Sequence, residues 1–242
     1  MSENAQDALR SIQEALAPFV PHLKELRDRL VKAAIALAIA TIGSFFVAEP
    51  IIGILKAPME GTLLVTQTPT EGIGTFMKVA IFAGLTIALP VIVYQALRFV
   101  LPALTKDERK YVYWIVPGAT FSFVTGVAFA YYIMLPAAVP FLKGFLGDVV
   151  QPFWSIGKYI SFITSLMFWI GLAFELPLVV FFLAKANVVN VAWLKRNRKY
   201  AVVVVAVLAA VITPTPDPFN MGLVMIPLLL LYEIGILLAR LA

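Results

Sequence analysis

Four stretches of the chain, about 30–48, 73–97, 111–135 and 159–184, hold only three charged side chains between them, Lys32, Lys78 and Glu175. A helix that crosses the ~30 Å hydrocarbon core of a bilayer needs ~20 mostly apolar residues. Lipid offers backbone groups no partner, so runs of this kind fold as helices that satisfy their own hydrogen bonds. Two shorter runs follow, about 200–212 and 219–239. The composition agrees, with 14% charged residues against roughly 25% in a soluble domain. An all-α integral membrane protein with six transmembrane helices is expected. Aromatic residues flank the third run, Tyr111, Tyr113 and Trp114 at one end and Tyr131 and Tyr132 at the other, as in an interfacial belt.

Several chemistries are excluded. There is no cysteine, so no disulfide or thiolate site forms. The one histidine, His22, cannot supply a two-histidine zinc motif. The first twenty residues lack the basic start and continuous apolar core of a cleavable signal peptide.

Orientation follows from Lys and Arg. Fifteen of them lie before the first run or, as Lys32, at its leading edge, between the second and third, between the fourth and fifth, or after the last. Only Lys56, Lys143 and Lys158 lie on the other side, with Lys78 inside a run. This bias predicts both termini on the cytoplasmic side of the membrane.

The fifth run is short. Its core, AVVVVAVLAAVI (201–212), covers only ~18 Å as a helix, and TPTPDP (213–218) then forces a turn. Two short spans are favoured over a re-entrant hairpin. Small residues four apart, Gly118, Ser122, Gly126 and Ala130 in the third run and Ala80, Gly84 and Ala88 in the second, allow close helix approach. Packing within the chain is favoured over a dimer face. Pro90 and Pro117 predict kinks and a concave, cupped bundle. Leu9, Ile12, Leu16 and Phe19 predict an amphipathic surface helix in a separate N-terminal extension, 1–20, ahead of one membrane domain, 21–242.

Polar residues remain to be explained. HLKELRDRL (22–30) sets Glu25 and Asp28 among cations, and LTKDERKY (104–111) does the same with Asp107 and Glu108. They read as a solvated surface of weak ion pairs, or as carboxylates selecting a ligand that makes directed, bidentate bonds as arginine does.

The segments HLKELRDRL, TQTPTEGIGTFMKV (66–79), PVIVYQALRFVLPALTKDERK (90–110), GLAFELPLV (171–179), ITPTPDPFN (212–220) and IPLLLLYEIGILLARL (226–241) occur in this order. Together, from about residue 21 to the end, they resemble TatC, the core subunit family of the twin-arginine translocase. That resemblance implies a six-span receptor with no catalytic residues, cofactor, metal or nucleic-acid partner. Its ligands would be paired-arginine signal peptides of folded precursors, exported at the expense of the proton-motive force. Its partners would be TatA and TatB, or a single TatA-like protein, in a multimer of TatB–TatC units. By the same resemblance Glu108 and Glu25 match the glutamates that contact the arginine pair, Phe99 the loop aromatic, and Glu175 the intramembrane glutamate. Arg27, Gln95, Asp107 and Asp217 are secondary candidates, although Asp217 within TPTPDP reads first as a turn residue. The sequence departs from the family at Leu97, where many members have Trp, at Ala103, where many have Gly, and at Met221, where Gln is frequent.

Glu175 stands out without any resemblance. A charge at mid-bilayer costs ~2.5–3.5 kcal/mol on insertion scales and marks function when it is retained. Pro177 supplies no N–H to the Ala173 carbonyl. Thr164, Phe168, Gly171 and Glu175 share one helix face, which predicts a polar notch beside Gly171. A neutral Glu175 would donate a hydrogen bond there to a partner helix or inserted peptide, or else meet Lys78 within the chain. Lys78 is otherwise expected to snorkel outward, and Glu233 to reach headgroups or Arg240. The alternative function is a proton-coupled transporter of a small solute, which broken helices and Glu175 would also suit, but no inverted repeat is visible. An intramembrane protease would need an aspartate pair or a Ser/His arrangement inside the spans, and none is present.

Overall fold

A computed structural model describes residues 19–100, 109–145, 153–213 and 217–241. The expected N-terminal surface helix lies outside them, apart from the two residues that open the first helix.

Helix α1 (Phe19–Ser44) ends where the Ser44 hydroxyl turns back onto the Ala40 carbonyl, 2.8 Å away. After a three-residue turn, α2 (Ala48–Lys56) leaves at 75°. The run expected to span at about 30–48 thus passes through this bend. Hydropathy stays high through the bend and cannot register it. Pro50 belongs in the first turn of α2, where its missing N–H costs nothing, and could not have continued the ladder of α1. A 3-10 turn (Ala57–Met59) and strand β1 (Leu64–Val65) lead to α3 (Glu71–Val100), thirty residues with Pro90 inside.

Helix α4 (Arg109–Phe129), with Pro117 inside, runs into a π turn (Ala130–Met134) and then α5 (Leu135–Gly144). The Leu135 N–H reaches back five residues to the Ala130 carbonyl. This wide turn lies just before Pro136, which has no N–H of its own to give the ladder. Strand β2 (Trp154–Ser155) pairs in parallel with β1, Leu64 opposite Trp154. Then come α6 (Ile156–Phe174), α7 (Leu176–Lys185), α8 (Val191–Arg196), α9 (Arg198–Ile212) and α10 (Pro218–Ala239).

Among the described residues four helical stretches are long and apolar enough to cross a membrane, Glu71–Phe99, Trp114–Gly144, Ile156–Lys185 and Pro218–Ala239. The bent α1–α2 pair makes a fifth if it is one span. Helix α9, at fifteen residues, is ~22 Å long and falls short of the ~30 Å core.

Helix α6 is central. Ile160, Ile163 and Ile170 are fully buried, with α3 and α4 packed on either side. The small residues serve this internal packing, as expected. A Cβ on Gly84 would stand 2.6 Å from the Thr41 Cα of α1, and one on Gly126 would stand 2.8 Å from the Gly171 Cα of α6. Backbones so close gain dispersion contacts that larger side chains would forbid. Buried residues make up only 28% to 39% of each spanning window, so most of the apolar surface is left for lipid and partners.

Candidate functional site

The basic end of the molecule holds the first cluster, built by two helices side by side. On α1 the residues His22, Glu25 and Arg29 follow at intervals of three and four and so share one face. Facing them, the last turns of α3 bring Gln95 and Phe99. The His22 and Phe99 rings stack with centroids 4.3 Å apart. Arg29 donates to Glu25 Oε1 at 2.9 Å and to Gln95 Oε1 at 3.5 Å, while its Nε is buried without a partner. Glu25 keeps 31% of its side chain exposed, and no described residue bonds its Oε2. Arg27 points elsewhere, paired with its neighbour Asp28 at 2.9 Å in open solvent. The structure thus brings Glu25, Gln95 and Phe99 together and leaves Arg27 apart. Glu108 and Asp107 lie outside the described residues, although Glu108 directly precedes α4.

Glu175 occupies the break between α6 and α7. Pro177 denies α6 its next ladder bond, and the Glu175 N–H turns instead to the Leu172 carbonyl, 3.1 Å away. The loosened Phe174 carbonyl accepts the Ser122 hydroxyl of α4 at 2.6 Å. Pro177 and Val180 pack against Gly235 of α10. Within this joint Glu175 Oε1 is buried with no hydrogen-bond partner. Part of the expected notch is corrected. The space beside Gly171 is taken by the Phe123 ring, so that glycine serves helix packing and makes no opening. Lys78 is not the partner of Glu175 either. Its Nζ donates to Ser161 Oγ at 2.6 Å.

One further expectation changes, that of Glu233, while Asp217 stays a residue of the turn into α10. Glu233 pairs with Arg198 at 2.5 Å, across α9 and α10, and not with Arg240. Asp217 caps α10, accepting from the Asn220 N–H at 2.7 Å and from the Asn220 amide at 2.8 Å.

Sequence reasoning passed over Glu71. One carboxylate oxygen accepts from the Ser155 hydroxyl and the Gly157 N–H, and the other from the Gln67 and Thr68 N–H groups. It ties the start of α3 to β2 and the start of α6. A signal was present, because Thr68-Pro69-Thr70-Glu71 has capping-box spacing and Glu71 does reach back to the Thr68 N–H. Nor do charge and composition single out Arg29 and His22; the signal for them is their spacing from Glu25, four and three residues.

Residues 21–227 match the family model for the Sec-independent protein translocase protein, TatC. The chain is 38% identical over 234 residues to the Sec-independent protein translocase protein TatC of Deinococcus radiodurans, covering 93% of this chain and 87% of that one. It is 40% identical to that of Aquifex aeolicus, covering 93% and 95%. A crystal structure of the twin-arginine translocase receptor TatC superposes with a TM-score of 0.81 at 40% identity, over 91% of this chain and 98% of the other.

Proposed function

Because the chain belongs to the TatC family of Sec-independent protein translocase proteins, and is a component of a twin-arginine translocase, we propose that its basic end reads the arginine pair of a signal peptide directly. The observation that carries this reading is the Glu25–Phe99 cluster at the junction of α1 and α3. Arg29 holds one oxygen of Glu25 and leaves Oε2 for an incoming guanidinium. Arginine presents a planar fork that binds a carboxylate bidentately, whereas lysine offers a point charge. The surrounding Lys and Arg residues repel cations in general, so only a ligand making directed bonds gains. Glu108 of the following loop supplies the second carboxylate, and Phe99 with His22 offers an apolar face beside the pair.

In this reading the chain crosses the inner membrane six times with both termini in the cytoplasm, the bent α1–α2 pair and the short α9 each counting as one crossing. Residues 1–20 are a cytoplasmic extension of the single membrane domain. The partly exposed carboxyl of Glu175, whose Oε1 has no partner inside the joint, meets a polar group on a TatA- or TatB-like helix or on the inserted peptide. The large unburied fraction of every span supports recruitment of such helices. Export of a folded fluorescent reporter, in cells whose only copy is this chain, tests the reading. Glu25→Ala is expected to leave the reporter in the cytoplasm at wild-type levels of receptor, and unimpaired export by Glu25→Ala would overturn it.

A further inference from the structure

At the end opposite the Glu25 cluster, a cleft of about 960 Å3 continues into a second of about 450 Å3, the two sharing Lys78, Ser161 and Ser165. The first carries the charged groups Glu71 and Lys158 among mainly apolar walls that include the end of α9 at Val211 and Ile212. The second is walled by Ile81, Phe82, Leu85 and Phe168.

The charges of this cleft do not balance internally. Glu71 has both oxygens committed to the clamp described above, and among the described residues no carboxylate pairs with Lys78 or Lys158. Among the described residues the lining holds one carboxylate and two ammonium groups, a net positive set. Lys78, although exposed, is also tied down by a hydrogen bond. It donates to Ser161 Oγ, which in turn donates to the Gly157 carbonyl at 2.6 Å. Two of the three ammonium N–H groups remain for a ligand. Lys78 lies seven residues past the start of α3, ~10 Å along the helix, inside the apolar stretch Glu71–Phe99, where charged side chains are rare. The short α9 ends beside the same cleft, at Val211 and Ile212.

We propose that this cleft holds one anionic phospholipid from the leaflet opposite the Glu25 cluster. Its phosphate binds Lys78 and Lys158, and one acyl chain runs along Ile81, Phe82, Leu85 and Phe168. The headgroup supplies the missing negative charge, and the second cleft continues where a chain must leave the headgroup. A zwitterionic lipid carries a cation of its own that the two lysines repel, so the site discriminates by charge. This inference does not rest on signal-peptide recognition.

The test is lipid counting by native mass spectrometry on delipidated full-length protein, titrated with phosphatidylglycerol or phosphatidylcholine. The wild type is expected to retain one phosphatidylglycerol about tenfold more tightly than phosphatidylcholine, the order of one charge-assisted contact. The double variant Lys78→Gln/Lys158→Gln should lose that preference, and Lys78→Arg should keep it. Equal retention by the double variant, or equal binding of both lipids by the wild type, overturns the proposal. Displacement of phosphatidylglycerol by millimolar inorganic phosphate would show a free-anion site and overturn the lipid assignment, so phosphate is expected not to compete.

Discussion

Arg29 of α1 lies 2.9 Å from Glu25 Oε1, one turn back on the same helix, with its own Nε buried and unpartnered. The pair therefore holds the carboxylate in place and depends on it. Glu25→Ala should cost about 1–2 kcal/mol of stability, the value of a charge-assisted bond discounted for partial exposure. The double variant Glu25→Ala/Arg29→Ala should recover part of that loss and still fail to bind signal peptide. Thermal unfolding in detergent, followed beside peptide binding, separates the two effects.

The His22–Phe99 stack predicts a graded series. Phe99→Tyr keeps a ring against the imidazole and should retain most export, whereas Phe99→Ala removes the apolar face and should lose most of it. The readout is the exported fraction of a reporter at matched receptor abundance.

Glu175 separates hydrogen bonding from volume. Its Oε1 has no partner in the joint between α6 and α7, so an amide can replace the carboxyl in donating to a partner helix. Glu175→Gln should keep much of the export activity and Glu175→Ala should not. Equal export by all three forms would sink the role assigned to this residue.

The contact between Gly126 and Gly171 admits no methyl group. Gly126→Ala should destabilise the protein by roughly 1–3 kcal/mol through overpacking. Gly72→Ala, where a Cβ meets nothing within 4 Å, should be close to neutral. Unfolding midpoints of the two variants check this directly.

Helix identity was legible because apolar run length and the ~30 Å bilayer core leave one backbone solution. The stripes with Gly84 and Gly126 revealed packing partners in kind, although not which helices met. The 75° bend after Ser44 was hidden, since Phe45, Phe46 and Val47 keep hydropathy high through the turn. The space beside Gly171 was misread for a related reason. One helix face says where room exists, and only the neighbour, here Phe123, says whether it is filled. At the basic end, Glu25 and Phe99 were named by resemblance. Their partners Arg29 and His22 follow from spacing once α1 and α3 are known to lie together.

The central claim is that the carboxylates at the basic end read a pair of arginines as such. Binding of a fluorescent signal peptide to the purified protein tests it, with Arg-Arg compared with Lys-Lys on wild type, Glu25→Gln and Glu108→Gln. Arg-Arg should bind about tenfold more tightly than Lys-Lys, the order of one bidentate contact, and each glutamine variant should erase most of the difference. Equal binding of the two peptides by the wild type would contradict the account and reduce Glu25 and Glu108 to surface charge.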